Sequence, residues 1–167
     1  SPEMILVYSD QGLGGMSRTF HDLYRNHLIR SPYKDKKRPI LINNWEATYF
    51  DFDSDKLVEI AHQASELGMD MLVMDDGWFG KRDNDQSGLG DWFVNTNKIK
   101  GGLDSLVKRV NSEGLKFGIW FEPEMVNPDS ELYRKHPEWA ISVPNIKPAL
   151  GRNQLMLDLA NDEVCEY

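Results

Sequence analysis

The sequence predicts an α/β fold built around a parallel β-sheet. Three apolar runs suitable for buried strands alternate with two segments whose apolar residues have helical spacing, and a glycine follows each helical segment. Strands that alternate with helices in this way are typical of βαβ units, in which neighbouring strands are parallel. The pattern itself leaves two architectures open, a closed (β/α)₈ barrel and a doubly wound open sheet.

Segment 1–38 precedes the regular part and is interpreted as a lead-in followed by a linker. Residues 4–8 are apolar, and we expect them to form a short strand. An amphipathic stretch follows, with Phe20, Leu23, Tyr24 and Leu28 at helical spacing. The stretch 31–39 is basic and rich in turn formers, which is typical of a solvated hinge.

The first regular unit covers residues 40–68. Residues 40–45 are predicted to form a buried strand, and Ser54 is expected to cap the helix that comes next. Gly68 is expected to end this helix. The helical spacing of its apolar residues puts them on one face: Leu57, Ile60, Ala61, Ala64 and Leu67.

The second unit has a strand over residues 69–75 and a helix that Gly114 ends, and a third strand follows over residues 115–121. The chain runs 32 residues from Asn44 to Asp76, close to the roughly 31 residues per unit of a barrel of about 250 residues. The next interval, from Asp76 to Phe121, is 45 residues. The additional residues lie in the loop 77–100.

Composition argues against several kinds of partner. With 19 Lys and Arg against 27 Asp and Glu, the net charge is −8, which disfavours a surface for nucleic acid or an anionic membrane. No apolar run approaches the roughly 18 residues of a membrane span. Cys165 is the single cysteine, so the chain has no internal disulfide and no CxxC metal pair. The acidic balance and the single cysteine predict a cytoplasmic protein.

The chain is interpreted as a fragment of a longer protein. It has 167 residues, begins Ser-Pro and stops at Tyr167 in what looks like the start of a helix. A one-domain barrel takes about 250 residues, so this chain would hold only part of one.

The ends of the three predicted strands carry the side chains best suited to ligand binding. In both architectures, ligands bind at the carboxyl ends of parallel strands. Each of these ends combines an indole with carboxylates or amides: residues 43–46 (NNWE), 75–78 (DDGW) and 120–124 (WFEPE). Sugars stack apolar C–H faces on aromatic rings, and their hydroxyls bind charged acceptors. The three ends together predict a carbohydrate pocket, although any single tryptophan could serve packing alone.

Asp75 and Asp76 have two interpretations. Adjacent residues of a regular strand point to opposite sides, so one of the two could be a helix cap or bind a loop amide. If the strand frays at its end, both carboxylates could bind neighbouring hydroxyls. The sequence also allows Asp76 to pair with Glu122 or Glu124, because a retaining glycosidase needs two carboxyl groups about 5–5.5 Å apart. We do not favour that pairing.

Arg152 and the histidines complete the candidate residues. Arg152 lies between Gly151 and the strand-like run 155–159, and it could either form a salt bridge or bind substrate. The four histidines have no metal-ligand spacing such as HExxH. No metal site is predicted.

Five motifs, taken in order, resemble the microbial α-galactosidases (melibiases) of glycoside hydrolase family 36. They are residues 43–47 (NNWEA), 75–79 (DDGWF), 117–126 (FGIWFEPEMV), 136–139 (HPEW) and 151–159 (GRNQLMLDL). The resemblance runs from about Pro39 to the C-terminus, and segment 1–38 is similar to the lead-in from that family's N-terminal β-sandwich domain. It implies that residues 39–167 are the N-terminal part of a (β/α)₈ TIM barrel, about three βα units truncated before the fourth strand.

The resemblance also implies an activity and roles for particular residues. The parent enzyme would hydrolyse terminal non-reducing α-D-galactosyl residues of oligosaccharides with retention of configuration, and it would need no metal or cofactor. Asp75 and Asp76 would bind galactose hydroxyls, while Trp45 and Trp120 would form walls of the subsite. Arg152 would contact the sugar or hold its neighbours. Glu122 and Glu124 would then have supporting or loop roles.

Neither catalytic carboxylate of that family is expected in this chain. The family's nucleophile is an Asp in a Lys-Trp-Asp-type motif at the end of the fourth strand, and its acid/base is a later Asp. Both are expected downstream of Tyr167, so the fragment alone is predicted to be inactive. Asp158 lies in a similar apolar run, but its motif matches the segment before that strand.

The expected partner is an α-galactoside oligosaccharide, not nucleic acid or a membrane, and the resemblance allows a homo-oligomeric parent enzyme. Two other functions are kept open. One is an α-galactosyl transferase of the same fold, and the other is a non-catalytic sugar-binding half-barrel.

Overall fold

The structure, a computed structural model, describes residues 3–167, and the chain divides into two compact units, 1–38 and 39–167. In the first unit, helix α1 (Gly12–Leu23) continues into a π-helical turn (Tyr24–Leu28), and a short 3₁₀ turn follows at Pro32–Lys34. The helical prediction for this segment is therefore confirmed. The predicted strand over residues 4–8 is wrong, since these residues form neither helix nor strand and Leu6 is 96% exposed. An apolar run becomes a strand only when another strand pairs with it.

The second unit contains a parallel three-stranded sheet. Its strands are β1 (Leu41–Asn43), β2 (Met71–Met74) and β3 (Lys116–Ile119), in the spatial order β1-β2-β3. Both pairs are parallel. All three strands lie inside the predicted ranges and are shorter than predicted.

Three helices accompany this sheet: α2 (Trp45–Thr48), α3 (Ser54–Glu66) and α4 (Gly102–Ser112). The prediction that Ser54 caps α3 is wrong by one residue. The Asp53 carboxylate accepts hydrogen bonds from the backbone N–H groups of Asp55 (3.0 Å) and Lys56 (2.9 Å). These bonds lower the pKa of Asp53, because they favour its charged form. Ser54 instead directs its own N–H to the carbonyl of Lys98 (3.0 Å).

The main core lies between the sheet and the apolar faces of α3 and α4. Its fully buried side chains include Leu57 from α3, Leu72 from β2 and Leu106 from α4. Burying one such side chain stabilises a fold by about 1.5–3 kcal/mol. The loop 77–100 belongs to this core, because Phe79 and Leu89 are fully buried as well. The long loop is therefore a packed part of the unit.

A second, smaller core follows the sheet. Strand β4 (Met125–Val126) pairs antiparallel with β5 (Leu155–Met156), so the predicted strand over 155–159 is confirmed only for its first two residues. The short helices α5 (Glu131–Lys135) and α6 (Asp162–Glu166) and a 3₁₀ turn at Pro137–Trp139 complete this part of the chain. The buried side chains of this core are Val126, Leu132, Trp139, Ala140, Leu155, Leu157 and Val164.

Candidate functional site

The carboxyl ends of the three parallel strands meet at one edge of the sheet. The N–H of Asn44, just after β1, donates to the carbonyl of Val73 (3.4 Å), and the N–H of Trp120, just after β3, donates to the carbonyl of Met74 (2.9 Å). The residue following Met74 is Asp75. The three sequence motifs that predict a ligand site are therefore neighbours in space.

Asp75 is held by Asn43, the last residue of β1, and by Asn44, which follows it. The Asn43 side-chain amide donates to the Asp75 carboxylate (2.5 Å), and the side-chain carbonyl of Asn44 accepts the Asp75 N–H (2.8 Å). The other Asp75 oxygen accepts the N–H of Asp76 (2.8 Å). The Asp75 carboxylate thus accepts two amide groups of the protein, and because a carboxylate has about four acceptor positions, a ligand hydroxyl can bind it as well. These bonds fix its orientation at the strand end.

Asp76 binds a buried arginine that the sequence analysis did not single out. The Asp76 residue is 5% exposed, and its carboxylate accepts hydrogen bonds from Nε of Arg82 (2.9 and 3.1 Å) and from Nη2 (2.8 Å). Arg82 itself is completely buried. The aspartate predicted to bind a hydroxyl is therefore also one half of a buried, bidentate ion pair.

Asn127 is the second functional candidate that the sequence analysis missed. Its side-chain carbonyl accepts Nη1 of Arg82 (2.8 Å) and the backbone N–H of Leu89 (2.9 Å), and its amide nitrogen donates to the carbonyl of Asn153 (2.8 Å). Arg82 stands in a polar loop segment, residues 81–86 (KRDNDQ), in which nothing distinguishes a buried arginine from an exposed one. No local pattern in the sequence points to this long-range contact.

The predicted indoles differ in how much of their surface is accessible. Trp45 is half-buried and meets Phe50 edge to face, with ring centroids 5.0 Å apart. Trp120 is half-buried and stacks on Phe79, with centroids 6.5 Å apart and an interplanar angle of 15°. Trp78 is buried, and its Nε1 donates to the carbonyl of Trp120 (3.0 Å). Trp78 serves packing, whereas Trp45 and Trp120 keep surface that a ligand could contact.

Arg152 is exposed in a tight turn beside β5. Backbone hydrogen bonds in both directions between Gly151 and Gln154 (3.1 and 2.9 Å) close the turn, and Arg152 has φ +50°. Within residues 3–167 Arg152 forms no ion pair, so the salt-bridge interpretation is not supported. Its guanidinium is therefore available to a ligand.

The charge of Arg152 acts on Glu122. Burial is the main cause that raises the pKa of Glu122, the carboxylate of Glu124 adds to it, and the charges of Arg152 and Arg82 oppose it. The pKa of Glu122 therefore responds to the charges of Arg152 and Asp76, two of the predicted site residues. Glu124 is exposed.

The described part of the chain, residues 3–167, shows no group of three or more His, Cys, Asp or Glu side chains placed to hold a metal ion. In the same residues, no helix combines the length and the apolar character needed to cross a bilayer.

Comparison with known proteins gives consistent matches. The protein-family model described as Melibiase matches residues 1–167. The chain is 60% identical over 167 residues to the α-galactosidase AgaA of Geobacillus stearothermophilus, and it spans 23% of that protein's length. It is 52% identical over 164 residues to the α-galactosidase Mel36A of Lactobacillus acidophilus, of which it spans 22%.

Solved structures of α-galactosidases also resemble the fold of this chain closely. A variant of Geobacillus stearothermophilus AgaA, described as a GH36 α-galactosidase in complex with raffinose, matches with a TM-score of 0.93 and 60% identity over 96% of this chain and 22% of that one. Another variant of the same protein, in complex with stachyose, matches with a TM-score of 0.92 and 60% identity over the same shares. The α/β fold with its parallel sheet is thus shared with these structures.

Proposed function

Because this chain belongs to the melibiase family, we propose that it is part of a longer α-galactosidase of glycoside hydrolase family 36, called the complete enzyme below. The complete enzyme hydrolyses terminal non-reducing α-D-galactosyl residues of oligosaccharides, and this chain supplies part of its galactose-binding subsite. The observation that carries the proposal is the edge where β1, β2 and β3 end, at which two oriented aspartates lie beside accessible indoles. The names of the relatives and the raffinose and stachyose complexes support the same substrate class.

The proposed architecture follows from the sheet and from the similarity to the solved structures. Residues 39–167 are the first part of a (β/α)₈ barrel, in which β1, β2 and β3 are consecutive barrel strands. Residues 1–38 are a lead-in from an N-terminal β-sandwich domain. The carboxyl edge of the sheet then opens on the face where barrel enzymes have their active sites.

The proposed roles divide between polar and aromatic contacts. Asp75 and Asp76 accept hydrogen bonds from galactose hydroxyls, and these bonds fix the ring and strengthen in the transition state. Trp45 and Trp120 bind the apolar C–H faces of the sugar. The exposed guanidinium of Arg152 contacts the sugar or holds its neighbours.

The bond-breaking step belongs to two carboxylates outside this chain. One attacks the anomeric carbon through a transition state with oxocarbenium character, and the other protonates the leaving oxygen and later activates water. Two displacements at the same carbon retain the α configuration. This chain contributes by holding the ring in place for both of them.

The complete enzyme is expected to release galactose from an aryl α-galactoside, with the α-anomer formed first. The absorbance of the released phenol measures cleavage, and proton NMR early in the reaction identifies which anomer of galactose forms first. The aryl β-galactoside is the matched control and is not expected to be cleaved.

Other outcomes would replace this proposal with a different one. Transfer of galactose to an added sugar at the expense of hydrolysis would favour the α-galactosyl transferase. Galactose binding by a folded complete protein that cleaves nothing would favour the sugar-binding half-barrel. If the complete protein neither binds galactose nor cleaves the aryl α-galactoside, the proposed function is contradicted altogether.

A further inference from the structure

Arg82 and Asp76 form an ion pair that is buried on both sides. The Arg82 side chain has no exposed surface, and that of Asp76 is 8% exposed. Two N–H groups of the guanidinium engage the carboxylate, with the shortest contact, Nη2 to Oδ2, at 2.8 Å. Planar bidentate contact of this kind fixes the plane of the carboxylate as well as its position.

The contact leaves acceptor capacity on Asp76. An ionised carboxylate offers about four lone-pair positions, and the two guanidinium N–H groups lie along one side of it. The remaining positions can accept hydroxyl protons from a ligand. A buried ion pair contributes little net stability relative to well-packed apolar side chains, so its main consequence here is the fixed orientation of the carboxylate.

Arg82 is itself held from the opposite direction. Its Nη1 donates to the side-chain carbonyl of Asn127 (2.8 Å) and to the backbone carbonyl of Ser87 (3.1 Å). Asn127 has no exposed surface, and its amide nitrogen donates to the carbonyls of Asn153 (2.8 Å) and Asp85 (3.3 Å). The guanidinium therefore has no freedom to turn away from Asp76.

The same network reaches two other residues of the proposed subsite. Asn153, which Asn127 binds, is the neighbour of Arg152 in a turn where both residues have positive φ, +50° and +62°. On the other side, the guanidinium carbon of Arg82 lies 5.7 Å from the ring centroid of Phe50, which packs against Trp45. Arg82 thus connects the supports of Asp76, Trp45 and Arg152.

We propose that Arg82 is a positioning residue of the galactose-binding subsite, which acts by holding the Asp76 carboxylate in the orientation that accepts galactose hydroxyls. Asn127 completes the arrangement by holding Arg82. This inference rests on the proposed function, since it assigns Arg82 a part in the binding of that substrate. Arg82 does not itself touch the sugar.

The test is a double-mutant cycle in the complete enzyme with Arg82→Met, Asp76→Ala and the double variant. We expect Arg82→Met to lower kcat/KM for an aryl α-galactoside about fivefold or more and to raise the inhibition constant of galactose similarly. In the Asp76→Ala background the same change is expected to cost less than about twofold, because residues that act through one contact are not additive. Thermal midpoints of all four proteins show how far each is destabilised.

A merely structural arginine gives a different result. In that case the fold losses of kcat/KM in the two single variants multiply in the double variant, or the inhibition constant of galactose stays unchanged in Arg82→Met while its thermal midpoint falls. Either result overturns the inference. If Arg82→Met does not fold, Arg82→Lys serves in its place, since it keeps the charge but cannot make the planar contact. Full wild-type kcat/KM in Arg82→Lys would also overturn the inference.

The wild-type arm separates this inference from the one on which it depends. If the wild-type complete enzyme neither cleaves the aryl α-galactoside nor binds galactose, the proposed function fails and the inference fails with it. If the wild type is active and the cycle is multiplicative, only the role of Arg82 is lost.

Discussion

Replacing Asp76 by alanine in the complete enzyme is expected to lower kcat/KM for an aryl α-galactoside at least tenfold. A hydrogen bond to a charged group contributes about 1.5–3 kcal/mol, which corresponds to about 10- to 150-fold in rate. The variant loses the hydroxyl acceptor and also leaves the buried guanidinium of Arg82 without its carboxylate. Initial rates over a range of substrate concentrations measure the effect.

The matched control for this variant is Asp91→Asn. Asp91, in the loop 77–100, is buried like Asp76, but its carboxylate binds the backbone N–H groups of Glu131 (3.0 Å) and Leu132 (2.9 Å) at the start of α5. We expect Asp91→Asn to lower the thermal midpoint and to leave kcat/KM within about twofold, because it removes a negative charge and one of two carboxylate acceptors at the start of α5 and not a ligand contact. Near-wild-type kinetics for Asp76→Ala would contradict the role assigned to Asp76.

The isolated chain 1–167 is expected to self-associate and to lack a cooperative thermal transition. In the three-stranded sheet β1 and β3 are edge strands, and edge strands offer backbone groups to other chains. Apolar side chains near these edges are exposed as well, among them Leu41 (50%) and Phe121 (49%). Light scattering after size exclusion and a circular dichroism melt test this expectation.

A variant with a charged residue on the edge strand β1 is the control for self-association. The variant Leu41→Lys of the isolated chain is expected to self-associate less, because lysine on an edge strand disfavours pairing with another chain. The complete enzyme, whose further strands we propose to cover these edges, is expected to melt cooperatively. A monomeric isolated chain with a sharp transition would show that residues 1–167 fold by themselves and would contradict this account of the edges.

The regular elements of the fold could be predicted from the sequence, because each has a strong local pattern. The three strands and the helices α3 and α4 lie where apolar spacing and terminal glycines place them. The sequence does not distinguish Ser54 from Asp53 as the cap of α3, since both residue types favour that position and only the backbone geometry selects Asp53. The prediction of a strand over residues 4–8 is wrong for another reason: strand formation depends on a partner strand that local sequence does not reveal.

The candidate site could be predicted only in part. The rule that ligands bind where parallel strands end located Asp75, Asp76, Trp45 and Trp120 at one edge. It could not find Arg82 or Asn127, which are 45 residues apart in the sequence. Their contact depends on how the loop 77–100 folds back onto the segment after β3, and no local periodicity encodes such a contact.

The most direct test of this account is a crystal structure of the complete enzyme with galactose bound. We expect an oxygen of Asp76 to lie within hydrogen-bond distance of a galactose hydroxyl, about 2.5–3.2 Å, while Arg82 binds the same carboxylate from the protein side. Trp45 or Trp120 should contact a C–H face of the sugar. Galactose bound with no contact to Asp75, Asp76 or either tryptophan would contradict the claim that this chain forms part of the sugar-binding subsite.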